Sequence, residues 1–322
     1  GLYAEDAIMG GILSQMQIGI TTKAVATSFL TVITQSSAEA AIAIGSVSTL
    51  TAGNLYSISS LADLNKLASL VNSGQSSNCT FILTGDIDMA NSPGYIPIGT
   101  DEHKFMGTFY GNGHVISNVS ISQSGTTGVG IFGVTGSTAR ILDLGVENAK
   151  VTGGDYTGVI VGNSAGTISN CFVKGNVNVN GGSYVGAITG NSSNTIQSSY
   201  TSGNINISGR SYVGGLVGTI NSSVKNCFAQ GVNVTASAGS AGGFAGTFGS
   251  SASYDKISIK GTVNVTGTNC VGGYVGMSNI NISNLNANVT GTVKSTGGYV
   301  GGIVGSISSS RTISNCNATM NV

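Results

Sequence analysis

The chain has 322 residues, 51 of them Gly, with only 12 basic and 12 acidic side chains and no net charge. A charged fraction of 7%, against the roughly 25% usual for soluble proteins, excludes a nucleic-acid binder that works through a basic field. At 40% hydrophobic the chain is too apolar for disorder, and its many Ser, Thr and Asn residues suit a repetitive β protein outside the cell.

Residues 1–50 form an apolar arm that matches nothing downstream. Asp6 can cap a short helix through Ile8, Ile12, Leu13 and Met16, and the stretch 24–34 (AVATSFLTVIT) has strand-like composition, with Val25, Phe29, Leu30, Val32 and Ile33. Between Asp6 and Glu39 the sole charge is Lys23, so this arm needs a surface to bury against. These nine apolar residues are the assembly candidates. The chain starts at Gly1 with no basic stretch leading into an apolar core, which reads as a processed N-terminus. No apolar run reaches the length of a membrane-spanning helix.

The next element is a helix. Ser60 is its N-cap, Leu61, Leu64, Leu67, Ala68 and Val71 share one face, and Gly74 ends it. Its predicted task is to cover the first coil of the downstream repeats, because an open solenoid end exposes strand edges. A strand FILTGDIDM and the segment FMGTFYGNGHVISNVSI lead into the main body of the chain.

That body is a repeat. Gly-rich cores end at Gly133, Gly162, Gly190, Gly218, Gly246, Gly276 and Gly305, at intervals of 29, 28, 28, 28, 30 and 29 residues. Tyr156, Tyr184, Tyr212 and Tyr299 precede the core, with Ser240 and Cys270 in two copies. Between cores runs a second unit, TISNCFVKGNVNV in one copy and TIQSSYTSGNINI in the next. There Val177 and Val179, Ile205 and Ile207, and Val263 and Val265 alternate with Asn178, Asn206 and Asn264, the period of a strand buried on one face. A unit this short cannot bury its apolar face alone, so neighbours stack. The expected fold is all-β: a right-handed parallel β-helix of 28–29-residue coils with a short N-terminal capping helix. Seven coils would make a rod of roughly 34 Å. A propeller is the competing architecture, but its blades need about 40 residues. The domains expected are the arm, 1–50, and the β-helix, 51–322. The latter divides into cap and leading coils, 51–127, and seven repeats, 128–322.

The VGGLVG-type cores, the ISNC segments and FMGTFYGNGHVISNVSI resemble the GLUG-repeat proteins of microbial cell surfaces, over residues 54–322. The resemblance implies an adhesin-like surface protein. Some members of that family are attached to immunoglobulin-cleaving metalloproteases; this chain has no HExxH, so that activity does not carry over.

Few residues could do chemistry. Asp86 and Asp88 lie two apart in a strand, and Asp101, Glu102 and His103 are neighbours, but a solvated edge explains both groups. Beyond Asp155 the only acidic residue is Asp255, which disfavours a polysaccharide-cleaving site along the repeats. His114, in GNGH, reads as a structural hydrogen-bonding residue. Cys171, Cys227 and Cys316 share one column, but column mates two coils apart are about 9–10 Å apart, beyond disulfide reach. All five cysteines, with Cys79 and Cys270, therefore read as free thiols. Asn206 and Asn264, each in an Asn-X-Ser/Thr sequon on the outward face, are the glycosylation candidates.

The expected function is a non-enzymatic structural subunit of an extracellular filament or surface fibre. It would assemble head-to-tail with copies of itself through the arm and uncapped coil ends, with no cofactor, metal, nucleic acid or membrane span. The alternative is a monomeric surface adhesin segment binding glycan or host protein, and the third reading a carbohydrate-active enzyme.

Overall fold

The computed structural model describes residues 40–322, so the nine assembly candidates from Ile8 to Ile33 lie outside the described residues. The expected parallel β-helix is the observed fold: every named strand pair among the described residues is parallel, and neighbours in the sheets are successive coils rather than successive strands. The Gly-rich cores supply a 7-stranded sheet, in register through Val161, Thr189, Val217, Ala245, Val275 and Val304. The residues just before the cores form a 5-stranded sheet. The intervening units make a 16-stranded sheet that continues through the leading coils to Ile42–Ala43.

The alternation does what its period dictates. Val177, Val179, Ile205, Ile207, Val263 and Val265 are buried, and the asparagines between them face out. Side chains that point inward on every coil stack on their own column mates, so one continuous apolar core runs the length of the rod. Its leading part is aromatic: Tyr56, Phe81, Phe105, Phe132 and Phe109 follow one another at ring-centroid separations of 5.0–5.7 Å. Further along it is Val, Ile, Leu and Ala with single phenylalanines.

Glycine is required in the cores by close approach. A Cβ on Gly215 would run into the carbonyl oxygen of Gly243, directly above it in the next coil. In the second unit, Gly203 (φ +133°) sits where the ladder shifts register by one residue, on the carbonyl of Gly175, a left-handed bulge that favours Gly.

Helix α1 spans Leu61–Asn72. Ser60 caps it, its hydroxyl accepting from the amide of Asp63 at 3.2 Å, while Asp63 Oδ2 accepts from the amide of Ser59 at 2.8 Å, a reciprocal cap of the kind expected at a helix start. Leu64, Leu67, Ala68, Leu70 and Val71 are buried against the leading coils. The rod, however, begins before the boundary expected at residue 51. Ile42–Ala43 already pairs with Leu55–Ile58, and Ile44 and Leu50 are buried. The end cover is therefore composite: α1 packs with the short turn at Ile44–Ser46, and residues 42–50 belong to the solenoid. No described helix is long and apolar enough to cross a membrane.

Candidate functional site

The acidic residues that could have carried chemistry are tied into the fold. Asp86 Oδ1 accepts from the amide of Val115 at 2.9 Å and lies 3.2 Å from His114 Nδ1. Asp88 Oδ1 accepts from Asn118 Nδ2 at 3.0 Å and the amide of Ala90 at 2.9 Å, and the Asn118 bond leads in holding its carboxyl below the usual range. Each carboxylate thus links one coil to the next. Asp101, Glu102 and His103 lie on a loop, where Glu102 and His103 approach only to 3.9 Å. Among the described residues no three His, Cys, Asp or Glu side chains are grouped to hold a metal. The five cysteines are free, four buried and Cys316 half-buried. Burial pushes the thiols of Cys171 and Cys227 up to about 12, which keeps them protonated and unreactive at neutral pH.

What the flank offers instead is ladders. At one turn, successive coils place a residue in left-handed backbone: Asn112, Asp143, Asn170, Ser198, Asn226, Lys256, Asn284 and Asn315. Asn tolerates this conformation better than most residues, and its amide can bond to the coil below, as Asn170 Nδ2 does to Asp143 Oδ1 at 2.8 Å and Asn315 Nδ2 to Asn284 Oδ1 at 2.6 Å. Asp143 interrupts that pattern with a carboxyl whose Oδ2 is buried without a partner, and burial pushes its pKa up to about 8. Two further amide stacks run along the rod, one through Asn163, Asn191 and Asn221, the other through Asn206, Asn233 and Asn264. The glycosylation candidates belong to the second stack. Asn206 Oδ1 accepts from Asn233, and Asn264 Nδ2 donates to Asn233 Oδ1 at 2.9 Å, a bond with which a glycan on that nitrogen would compete.

Two aromatic ladders complete the surface. Tyr156, Tyr184 and Tyr212 stack at 4.5 and 4.9 Å, half-buried, and all three have positive φ, between +57° and +67°. The second ladder, Phe172–Tyr200–Phe228, stacks at 5.5 and 4.7 Å and carries Lys174 and Lys260 over its outer rings. Sequence reasoning found the first and missed the second, although the signal was present. One aromatic follows the Cys/Ser column in three successive repeat units, as CF, SY and CF.

Comparison with known proteins agrees with this architecture. The GLUG motif matches residues 209–235, from the end of one long strand through a Gly-rich core to the next. Halomucin of Haloquadratum walsbyi is 39% identical over 138 residues, 40% of this chain and 2% of that protein. A protein of Evansella cellulosilytica described as a Gly-rich membrane protein is 31% identical over 129 residues, 38% of this chain and 14% of its own length. The chain thus spans a small part of these relatives. Among solved structures, a Bacteroides ovatus protein described as an immunoglobulin A1 protease superposes with a TM-score of 0.56, covering 83% of this chain and 84% of that one at 22% identity, a likeness of fold. With the seven Gly-rich cores in register and the GLUG motif lying across one of them, the chain carries a GLUG motif within a parallel β-helix.

Proposed function

We propose that this β-helix is a non-enzymatic structural subunit of an extracellular filament or surface fibre, assembling head-to-tail with copies of itself. The observation that carries the reading is the asymmetry of burial along each column. Val271 and Ile282 are fully buried, whereas their register partners in the last coil, Val300 and Ile313, are 40% and 48% exposed. A further coil laid on that edge, whether from a second copy or from a longer chain, would bury them and continue each ladder with the hydrogen bonds the preceding coils already make. Residues 1–39 are the proposed docking segment, supported by their apolar composition. The low charge supports it too, since neutral rods do not repel one another. An extracellular or cell-surface location is supported by the similarity to halomucin and to the Gly-rich membrane protein.

Negative-stain electron microscopy of the purified full chain at rising concentration tests this. Uniform fibres are expected, and they should shorten or vanish when residues 1–39 are removed. Single rods at every concentration would overturn the assembly reading.

A second reading, a surface adhesin segment that binds glycan or host protein, draws support from the tyrosine ladder. Holding Tyr156, Tyr184 and Tyr212 in left-handed backbone costs about 1–2 kcal/mol per residue, and half-exposed residues kept under such strain are candidates for contact with a partner. A carbohydrate-active enzyme ranks last, because Asp86 and Asp88 already serve as hydrogen-bond acceptors between coils.

A further inference from the structure

One face of the solenoid splits. Up to residue 236 each coil of the second unit pairs with the coil above it. Ser253–Lys260 pairs on one side with Ser223–Gln230, but on its other side with no strand. The segments that should lie there, Ile282–Ser283 and Asn286–Ala287, pair only with the last coil, through Ile313–Ser314 and Asn317–Ala318. Pairing is intact on both flanks of this gap. The amide of Asn279 donates to the carbonyl of Phe248 at 2.9 Å on one side, and Thr262 bridges Thr290 on the other.

The split is supported by residues that occur nowhere else in their columns. Tyr254 takes the place of Ile168, Ile196 and Val224. Its hydroxyl stands in for the missing ladder, donating to the carbonyl of Ser283 at 2.6 Å and accepting from the same residue's amide at 2.7 Å. Tyr274, at the core position of Leu216 and Phe244, donates to the carbonyl of Asn286 at 3.0 Å. Lys256 sits in the left-handed column between Asn226 and Asn284. An asparagine there would accept from Asn284 Nδ2, as Asp143 does from Asn170; lysine cannot, so that amide donor is left facing the gap. The gap is a cleft of about 470 Å³ lined by Tyr254, Asp255, Lys256, Asn284, Leu285 and Arg311 among others. Lys256 and Arg311 are exposed, and neither belongs to an ion pair among the described residues.

We infer that this cleft is a binding site for a single carboxylate-bearing saccharide residue. Two cations and a free amide donor line it against a single carboxylate, Asp255, and a guanidinium is suited to gripping a carboxylate with two parallel hydrogen bonds. Half-buried Ile280 supplies an apolar patch for the C–H face of a ring, beside the buried Ile257 and Leu285 and with Ser253 and Asn281 on the polar margins. Because pairing resumes at both ends, the cleft admits one ring-sized unit from the side rather than an extended chain, which favours a sugar over an acidic peptide strand. The site lies on the flank, with Lys256 two coils in from the last coil and Arg311 in the last coil itself, near Ile313.

The test is titration of the full chain with methyl β-glucuronide, methyl β-glucoside and N-acetyl-glutamate amide, followed by calorimetry or NMR. The glucuronide should bind at least about tenfold more tightly than either control, and Arg311→Gln and Lys256→Asn should each weaken it by about tenfold or more. Lys256→Asn should leave the melting temperature unchanged or higher, because it restores the asparagine column, so its loss of binding is not a loss of fold. No glucuronide binding, undiminished binding by Lys256→Asn, or equal binding of the glutamate derivative would overturn the inference. Fibre formation should be unaffected by Lys256→Asn, which lies away from the last coil.

Discussion

The coils between Tyr156 and Phe248 and those between Ser253 and Val322 are written in the same repeat, yet only the first set is paired on every face. The difference traces to a small change of length. Gly-rich cores are 28 residues apart from Gly162 to Gly246 and then 30 apart. The extra residues fall between Phe248, which keeps the 28-residue register with Ile220, and Tyr254, which is 30 residues from Val224. A longer turn at Gly249–Ser253 feeds the strand in with a tyrosine where an aliphatic stood. On that face alone the next coil is then held by tyrosine hydroxyls in place of the backbone ladder. A solenoid whose stability is a sum over neighbouring coils can concede one ladder in this way without losing the rod, because the Gly-core sheet remains continuous through Val275 and Val304.

That contrast is probed most severely at equivalent glycines. Gly215→Ala should cost at least about 3 kcal/mol or prevent folding, since the new Cβ meets backbone in the coil above. Gly302→Ala, in the same column of the last coil, meets no backbone of a further coil but the Cβ of Ala318 at 2.6 Å. The short strand at Asn317–Ala318 must then shift, and the cost of the substitution should be smaller than that of Gly215→Ala. Urea denaturation of both variants checks the pair. Equal costs would mean that the last coil is as tightly stacked as the interior.

Side-chain truncation gives the next largest difference. Leu216→Ala removes a fully buried core residue and should cost about 2–5 kcal/mol. Ile313→Ala, already half-exposed, should cost less than about 1 kcal/mol. Hydrogen exchange should report the split directly. The amides of Ile282–Ala287 should exchange through local opening, well ahead of those of Val177 and Ile205, which sit in ladders paired on both sides. Uniform protection along the chain would remove the distinction between the two sets of coils.

Asp143 supplies a pH test within the fully paired part. Its carboxyl is raised to about 8 from an unfolded value near 3.8, chiefly by burial. Folding therefore favours the protonated form. Its stabilising contribution is fully present below about pH 4 and is lost as pH rises through 8. Asp143→Asn, which gives the column the same residue as Asn112 and Asn170, should abolish that decline. The difference in melting temperature between wild type and variant should widen from pH 5 to pH 8. The smallest effect is expected in the tyrosine ladder. Tyr184→Gly and Tyr184→Ala both lose two stacked neighbours, but Gly relieves the left-handed backbone, so it should be the more stable of the two by about 1 kcal/mol.

Much of this architecture is legible in the residues. The period, the alternation of Val and Ile with Asn, and the Ser60 cap each obey local rules whose physical cause lies within one coil or one helix turn. Stacking of coils is a consequence, because no single repeat can bury its own apolar face. That the rod extends ahead of residue 51 is hidden because the segment 42–50 carries no repeat motif; it is held by pairing with Leu55–Ile58, a contact that composition does not announce. The Asp86 and Asp88 carboxylates give no sign in sequence that their partners are Val115 and Asn118, roughly one coil away.

The parallel β-helix, its coil length, its inward and outward faces and its glycine columns are all dictated by the order of residues, because each of these is periodic and local. Where the ladder fails, and what replaces it, emerges only from the packing of one coil on another. Tyr254, Lys256 and Tyr274 look like ordinary substitutions within a repeat. Their consequence, a cleft bridged by two hydroxyls and lined by unpaired cations, exists only once neighbouring coils are set against one another at the distance a β-sheet imposes.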